Sequence, residues 1–247
     1  VGLIARDAAS QPGTVGAAGL RERLSRPGAG LLLDLDGTLV DSEPVHRGAY
    51  REYFAGRGWQ VGEQVIGEFS GRRAAEVFAE LEGPWNGEDP VALTEGVLEA
   101  LRGTPLQPVA VAGAAQLIAA CRRSGLPVAI VTSARRGWAT TALDLFGVGD
   151  EGIAELGIRM VTAEDCALGK PDPEPYRRAA RLLGLEPGDL VAAEDAPAGI
   201  ASALGAGIGH VIVMTTSQPA SVLRAAGAHS TAPDLVALAG VVEELET

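Results

Sequence analysis

The sequence predicts an α/β fold: a parallel sheet with helices on both faces and an all-helical insert near its start. Three observations carry this. Apolar runs of strand length alternate with helical patterns at the spacing of right-handed crossover units. The stretch 44–104 reads as helical, is broken by Gly- and Pro-rich turns, and holds no strong strand. Chemically reactive residues fall at the ends of successive apolar runs, the rim where open α/β sheets bind ligands.

Residues 1–29, rich in Gly, Ala, Pro and Arg, read as a lead-in with a short helix near Ala17–Leu24, and no role is assigned to it. The first strand is Gly30–Leu35. The insert follows, with turns at Gly56-Arg57-Gly58, Gly83-Pro84, Asp89-Pro90 and Gly103-Thr104-Pro105. Beyond Pro108, Val111–Ser124 is expected as a helix, Leu126–Thr132 as a strand and Gly137–Phe146 as a helix. Met160–Thr162 reads as a short strand, and Asp172–Leu183 as a helix closing at Gly184. Leu190–Glu194 is a strand, Ala198–Gly205 a helix, Val211–Met214 a strand and Ala220–Ala226 a helix. The expected partition is a core of 30–43 and 106–247 with an insert of 44–105.

Composition bounds the function. The chain has 247 residues, enough for one large domain or a core with an insert. Its 33 glycines and 4% aromatic content fit helices packed tightly on a sheet. A net charge of −12, with basic residues clustered only in pairs such as Arg72-Arg73, argues against a nucleic-acid partner. No apolar stretch approaches the roughly 18 residues of a membrane span, and residues 1–27 lack the apolar core of a secretion signal. Two cysteines, Cys121 and Cys166, are too few for a disulfide framework. The expectation is a reduced, cytoplasmic chain, a monomer or weak homodimer, with no membrane or nucleic-acid partner.

The run Leu31-Leu32-Leu33-Asp34-Leu35-Asp36-Gly37-Thr38 is the most informative segment. A sheet core has no use for two charges unless they are paired or bind a metal. Strand periodicity points Asp34 and Asp36 the same way. Two oxygen donors at a sheet rim suit a hard cation such as Mg²⁺, and they also suit a nucleophile beside a proton donor. In that reading Asp34 is nucleophile and metal ligand, and Asp36 is general acid and then general base.

Three further signals sit on later strand ends. Thr132-Ser133 follows an apolar strand, where a hydroxyl either donates to a phosphate or caps the next helix. In Gly169-Lys170-Pro171-Asp172-Pro173-Glu174-Pro175 the alternating prolines stiffen the chain around one lysine, suited to neutralising a nucleophile and a phosphoryl group. In Val191-Ala192-Ala193-Glu194-Asp195-Ala196-Pro197 a strand again ends in acids. At least one reaches a metal held by Asp34. In a regular strand only one faces it, and the other binds through water or turns around at the loop.

With these four motifs in this order, residues 30–235 resemble the haloacid-dehalogenase-like hydrolases. Within them the chain resembles the phosphatases of small sugars and polyols (glycerol-phosphate and 2-deoxyglucose-6-phosphate phosphatases) and the related β-phosphoglucomutases. The resemblance implies a Rossmann-like core, a movable helical cap inserted after the first strand, Mg²⁺, and an aspartyl-phosphate intermediate. It implies that Thr132, with Ser133, binds the phosphoryl group and Lys170 steadies it. It makes Asp195 an acidic metal ligand, supported by Glu194 directly or through water, with the backbone carbonyl of Asp36 as a further ligand. Glu43 and His46 lie beside the first motif at the hinge, and Ser70-Gly71-Arg72-Arg73 matches a cap segment that approaches the core. His46 reads as lining the entrance or as a core or capping residue. Arg72 and Arg73 read as substrate contacts or as a solvated helix start. His210 and His229 read as structural. Leu33 stands where Phe is common, which keeps the strand apolar. Thr38 stands where the mutases have Val, which favours hydrolysis. The expected activity is a Mg²⁺-dependent phosphatase acting on a small phosphorylated metabolite. The alternatives are a hexose-phosphate mutase and a non-catalytic phosphometabolite-binding protein.

Overall fold

A computed structural model of the chain describes residues 17–147 and 157–246, so the start of the lead-in lies outside the described residues. Helix α1 (Ala17–Leu24) leads into β1 (Gly30–Leu33), and a two-residue strand β2 (Val40–Asp41) precedes the insert. The insert is built from α2 (Glu43–Gly56), α3 (Glu63–Gly67), α4 (Ala74–Glu80) and α5 (Pro90–Gly103). The chain returns through β3 (Val109–Ala110), α6 (Ala114–Ser124), β4 (Val128–Val131), α7 (Arg136–Leu143), β5 (Arg159–Val161) and α8 (Glu174–Leu183). It finishes with β6 (Leu190–Glu194), α9 (Pro197–Gly205), β7 (His210–Met214), α10 (Ala220–Ala225), β8 (Ser230–Ala232) and α11 (Val236–Glu243).

Six strands form one parallel sheet in the order β5-β4-β1-β6-β7-β8. The chain runs outward from β1 through β4 and β5, then crosses back to β6. The crevice beyond the C-terminal end of β1 is therefore the topological switch point of the sheet. This is a Rossmann-like core with helices on both faces, and the helices between β2 and β3 form an inserted cap.

Alternation along the strands explains why their sequences read as unbroken apolar runs. Leu31 and Leu33 pack on one face with Leu117 and Val242 from α6 and α11. Leu32 packs on the other with Ala129, Tyr176 and Ile200. The cap has its own core of Phe54, Phe69, Phe78, Trp85, Leu93 and Val97, in which Phe54 stacks on Trp85 at 5.5 Å. Its exit helix α5 starts cleanly, with Asp89 accepting from the Val91 amide and Pro90 in the first turn.

Several boundaries differ from the sequence reading, each for a local reason. The first strand stops at Leu33, because the chain tightens into a loop in which the Leu35 carbonyl accepts from the Thr38, Leu39 and Val40 amides. The helix expected from Val111 starts at Ala114, after Gly113 turns at φ +84 against the backbone of Val236. The β2–β3 ribbon, β8 and α11 escaped the sequence reading. The ribbon pairs Val40 with Ala110 and Asp41 with Val109, and so ties the two ends of the cap insertion together. No described helix is long and apolar enough to cross a membrane. Cys121 and Cys166 are both free.

At the end of β7 far from the rim, His210 Nε2 lies 2.9 Å from Ser230 Oγ and its ring stacks on His229 at 5.1 Å. His229 Nδ1 accepts from the Val211 amide. Both histidines thus tie β7 to the segment entering β8. Burial, aided by His229 and Arg23, pushes His210 down from 6.5 to about 4. Below pH 6.5 the unfolded chain binds a proton there that the folded chain refuses until about pH 4. Stability therefore falls as the pH drops through that window, at most by about 1.4 kcal/mol per unit. In urea unfolding, His210→Asn is expected to lose less stability than wild type between pH 7 and pH 5. Equal losses in the two proteins would remove His210 as the cause.

Candidate active site

The register of the central strands fixes the first contact. Leu33 of β1 faces Ala193 of β6, so the next residues, Asp34 and Glu194, come side by side at the rim. The Asp34 amide extends the ladder by one bond to the Ala193 carbonyl. Between these acids the loop before α8 inserts Lys170, which is 1% exposed. Its Nζ donates to Asp34 Oδ1 at 2.6 Å and to Glu194 Oε1 at 2.5 Å. Tyr176, from the first turns of α8, donates its hydroxyl to the same Glu194 oxygen at 2.5 Å, and its ring lies 5.3 Å from Nζ.

Asp195 completes the cluster. Oxygens of Asp34, Glu194 and Asp195 lie within 4.8 Å of one another. Strand alternation does not separate Glu194 from Asp195, because β6 ends at Glu194 and the backbone turns there. Asp195 Oδ2 accepts from Ser217, in the loop after β7, whereas Oδ1 is buried with no hydrogen-bond partner. Gly37 is required beside it. Its φ is +87, and a Cβ there would collide with the Asp195 carboxylate and with Ser217.

Three buried carboxylates share one ammonium. Burial, partly offset by Lys170, pushes Asp34 up to about 7. Burial and the charges of Asp34 and Glu194 raise Asp195 well above the carboxylate range. Lys170 is raised as well, for a different reason: burial opposes its charge, but Asp34 and Glu194 outweigh burial. The donors are all oxygens, they carry surplus negative charge, and one of them has an unused lone pair. That is a fit for a hard divalent cation.

Asp34 and Asp36 line the same cavity of about 290 Å³ between core and cap. Both lie beyond the end of β1, and their hydrogen-bond partners differ. Asp36 Oδ1 accepts from Ser42 Oγ at 2.6 Å and from Trp138 Nε1 at 2.8 Å, and lies 3.1 Å from His46 Nε2. Burial alone would raise Asp36, but His46, Ser42 and Trp138 prevail and hold it below its ordinary value. His46 is correspondingly raised, burial being outweighed by Asp36.

The remaining sequence-selected residues also border this cavity. Thr132 Oγ1 accepts from the Ala134 amide, which leaves its own proton free to donate. Ser133 donates to the Gly71 carbonyl of the cap at 2.9 Å. Glu43 pairs with Arg47 at 2.7 Å. Arg72 pairs with Glu80, and Arg73 with Glu76 and the carbonyls of Cys166 and Ala167. Both arginines are engaged with protein groups rather than lying on a solvated helix start. The sequence reading missed Ser42, Trp138, Tyr176 and Ser217. Ser217 lies just past β7, where the rim rule leads. Trp138 left no local signal.

Residues 29–207 match the sequence profile of the haloacid dehalogenase-like hydrolases. The chain belongs to that family. It is 36% identical over 194 residues to the validoxylamine A 7'-phosphate phosphatase of Streptomyces hygroscopicus subsp. limoneus, covering 78% of this chain and 88% of the relative. It is 36% identical over 186 residues to hexitol phosphatase A of Escherichia coli K12, covering 75% and 82%. Among solved structures, CbbY from Rhodobacter sphaeroides in complex with phosphate superposes with a TM-score of 0.70 at 25% identity, over 85% of this chain and 96% of that one.

Two outcomes follow from the acid cluster. Removing Lys170 strands two buried carboxylates, so Lys170→Met is expected to cost about 3–5 kcal/mol in metal-free urea unfolding. A loss below about 1 kcal/mol would mean that the lysine does not neutralise the site. Mg²⁺ at about 100 times its Kd is expected to stabilise the wild type by about 2.7 kcal/mol, roughly 5–10 °C in melting temperature for a chain of this size. Asp195→Asn should abolish most of that shift, and an undiminished shift would place the ion elsewhere.

Proposed function

We propose that the chain is a Mg²⁺-dependent phosphatase that hydrolyses a small sugar or polyol phosphate through an aspartyl-phosphate intermediate. The observation that carries this reading is Asp34. It is a buried carboxylate bonded to a buried lysine, within reach of two further acids, and it shares one cavity with a second, separately held acid, Asp36. A binding protein has no need of that second acid.

In the first step an Asp34 oxygen bonds to phosphorus as the bond from phosphorus to the substrate oxygen breaks. Asp36 gives its proton to the departing oxygen. Lys170 and the Thr132 hydroxyl, with Ser133 beside it, hold the phosphoryl oxygens where negative charge spreads in the transition state. In the second step water attacks phosphorus, Asp36 takes its proton, and phosphate leaves with Asp34 restored. Asp34, Asp195 and Glu194, with the Asp36 main-chain carbonyl, are the groups that would hold Mg²⁺, which when bound cancels the repulsion between carboxylate and phosphate. Glu43, His46, Arg72 and Arg73 border the part of the cavity left for the organic group. The relatives that act on hexitol and validoxylamine phosphates support polyhydroxylated esters as the first compounds to try.

The test is phosphate release with Mg²⁺ across glycerol phosphates, hexitol phosphates, 2-deoxyglucose 6-phosphate and glucose phosphates. Turnover of at least one ester is expected, with Asp34→Asn lowering it by about three orders of magnitude or more. Isomerised sugar phosphate without free phosphate would replace this reading with a mutase. Binding without any turnover would replace it with a binding protein.

A further inference from the structure

Trp138, on α7, is the aromatic ring that the core contributes to the cavity wall. It comes from a part of the chain remote from the first motif, yet its indole Nε1 donates to Asp36 Oδ1 at 2.8 Å. Ser42 and His46 meet the same oxygen at 2.6 and 3.1 Å, and the His46 ring stands edge-on to Trp138 at 4.9 Å. No described residue hydrogen-bonds Asp36 Oδ2. The Asp36 side chain is 23% exposed and borders the cavity. All three contacts therefore crowd one carboxyl oxygen and leave the other open.

The three are not equivalent. A serine hydroxyl rotates and turns from donor to acceptor, and a neutral imidazole exchanges the same roles between tautomers. An indole nitrogen only donates. Ser42 and His46 can accommodate a proton on either oxygen of Asp36, whereas a proton on Oδ1 would face the Trp138 N–H head-on. Of the three, only the indole keeps Oδ1 an acceptor whatever rotation, tautomer or proton exchange occurs at the others.

We propose that Trp138 is a positioning residue whose N–H fixes Asp36 Oδ1 as acceptor, so that Oδ2, open to the cavity, carries the proton that the leaving alcohol takes. This rests on the phosphatase reading above. As the bond from phosphorus to the ester oxygen breaks and the Asp34–phosphorus bond forms, the proton passes from Oδ2 to the ester oxygen. It is replaced from the attacking water in the second step. The cost of losing the indole N–H depends on how much the departing oxygen needs that proton. An alkoxide needs it, and a nitrophenolate leaves without it.

The experiment compares wild type with Trp138→Phe and with β-(3-benzothienyl)alanine placed at 138, which keeps the ring shape and replaces N–H by sulfur. Two esters are used, the best alkyl phosphate from the panel above and p-nitrophenyl phosphate. The readout is kcat/KM, which reports steps up to the first phosphoryl transfer. The expected result is a loss of about tenfold or more on the alkyl ester and less than about threefold on the nitrophenyl ester, alike in both variants. Equal losses on the two esters would make Trp138 a cavity wall only and overturn the proposal, as would an unchanged alkyl rate. Should Trp138→Phe melt below the assay temperature, the isosteric variant decides alone. Failure of the phosphatase reading looks different, because the wild type would then release phosphate from neither ester.

Discussion

A lysine ammonium that is almost wholly out of water holds the rim of the sheet together. Alone, Lys170 in that position would be prohibitively unfavourable. It is tolerated because Asp34 and Glu194 meet it at 2.6 and 2.5 Å. Those two acids are adjacent because β1 and β6 are adjacent and in register. Strand order, register and the proline-stiffened loop of Lys170 are thus one constraint. A one-residue slip between β1 and β6 would leave an unpaired charge at the centre of the molecule, so the fold and the site specify each other.

The same cluster carries a surplus of negative charge. One ammonium stands among Asp34, Glu194 and Asp195, and the surplus shows in the raised proton affinities of Asp34 and Asp195 and in the unpartnered Asp195 oxygen. Asp36, two residues from Asp34, follows the opposite rule. Its neutral and histidine donors keep it below the ordinary carboxylate value. Two acids from one short loop thereby acquire different surroundings, Asp34 beside a lysine and two further acids and Asp36 among neutral and histidine donors.

How much of this was legible in the sequence depends on how far each interaction reaches along the chain. The strand-end acids, Thr132 and Lys170 announce themselves, because an apolar run ending in charge or hydroxyl is locally anomalous. The alternation of strands and helices gave the parallel sheet, and the turn-broken helical stretch gave the cap. Two-residue strands such as Val40–Asp41 are too short to show a period, so the ribbon at the base of the cap was invisible. Strand alternation could not give the separate partners of Asp34 and Asp36, because the strand had already ended. Trp138 meets Asp36 only through tertiary packing, and a lone tryptophan in a helical pattern reads as core. Arg72 and Arg73 were visible as a basic pair with Glu76 and Glu80 on the same cap segment, but the Cys166 carbonyl that Arg73 meets follows from how the cap is seated.

That seating links the cap to the chemistry through a specific loop. Glu76 of α4 accepts from the Gly169 amide at 2.8 Å, next to Lys170, while Arg73 donates to the Cys166 and Ala167 carbonyls just before it. Ser133, next to Thr132, bonds the cap at Gly71, and Arg135 pairs with Glu95 of α5 at 2.6 Å. The two core segments that carry Lys170 and Thr132 are therefore the ones the cap grips. At about 0.5–1.5 kcal/mol net for each such bond, the grip amounts to a few kcal/mol. Under the proposed function, a grip of that size would yield to substrate entry, and a substrate contacting both surfaces would favour closure. Because Glu76 and Arg73 bind the backbone of the lysine loop rather than the lysine itself, separating the cap leaves the Lys170–Asp34 bond intact. It removes only the outer support of the loop. Under the proposed function, opening the cavity to solvent and disturbing the Lys170–Asp34 pair would thus be distinct events, because the cap touches the loop backbone and not the pair.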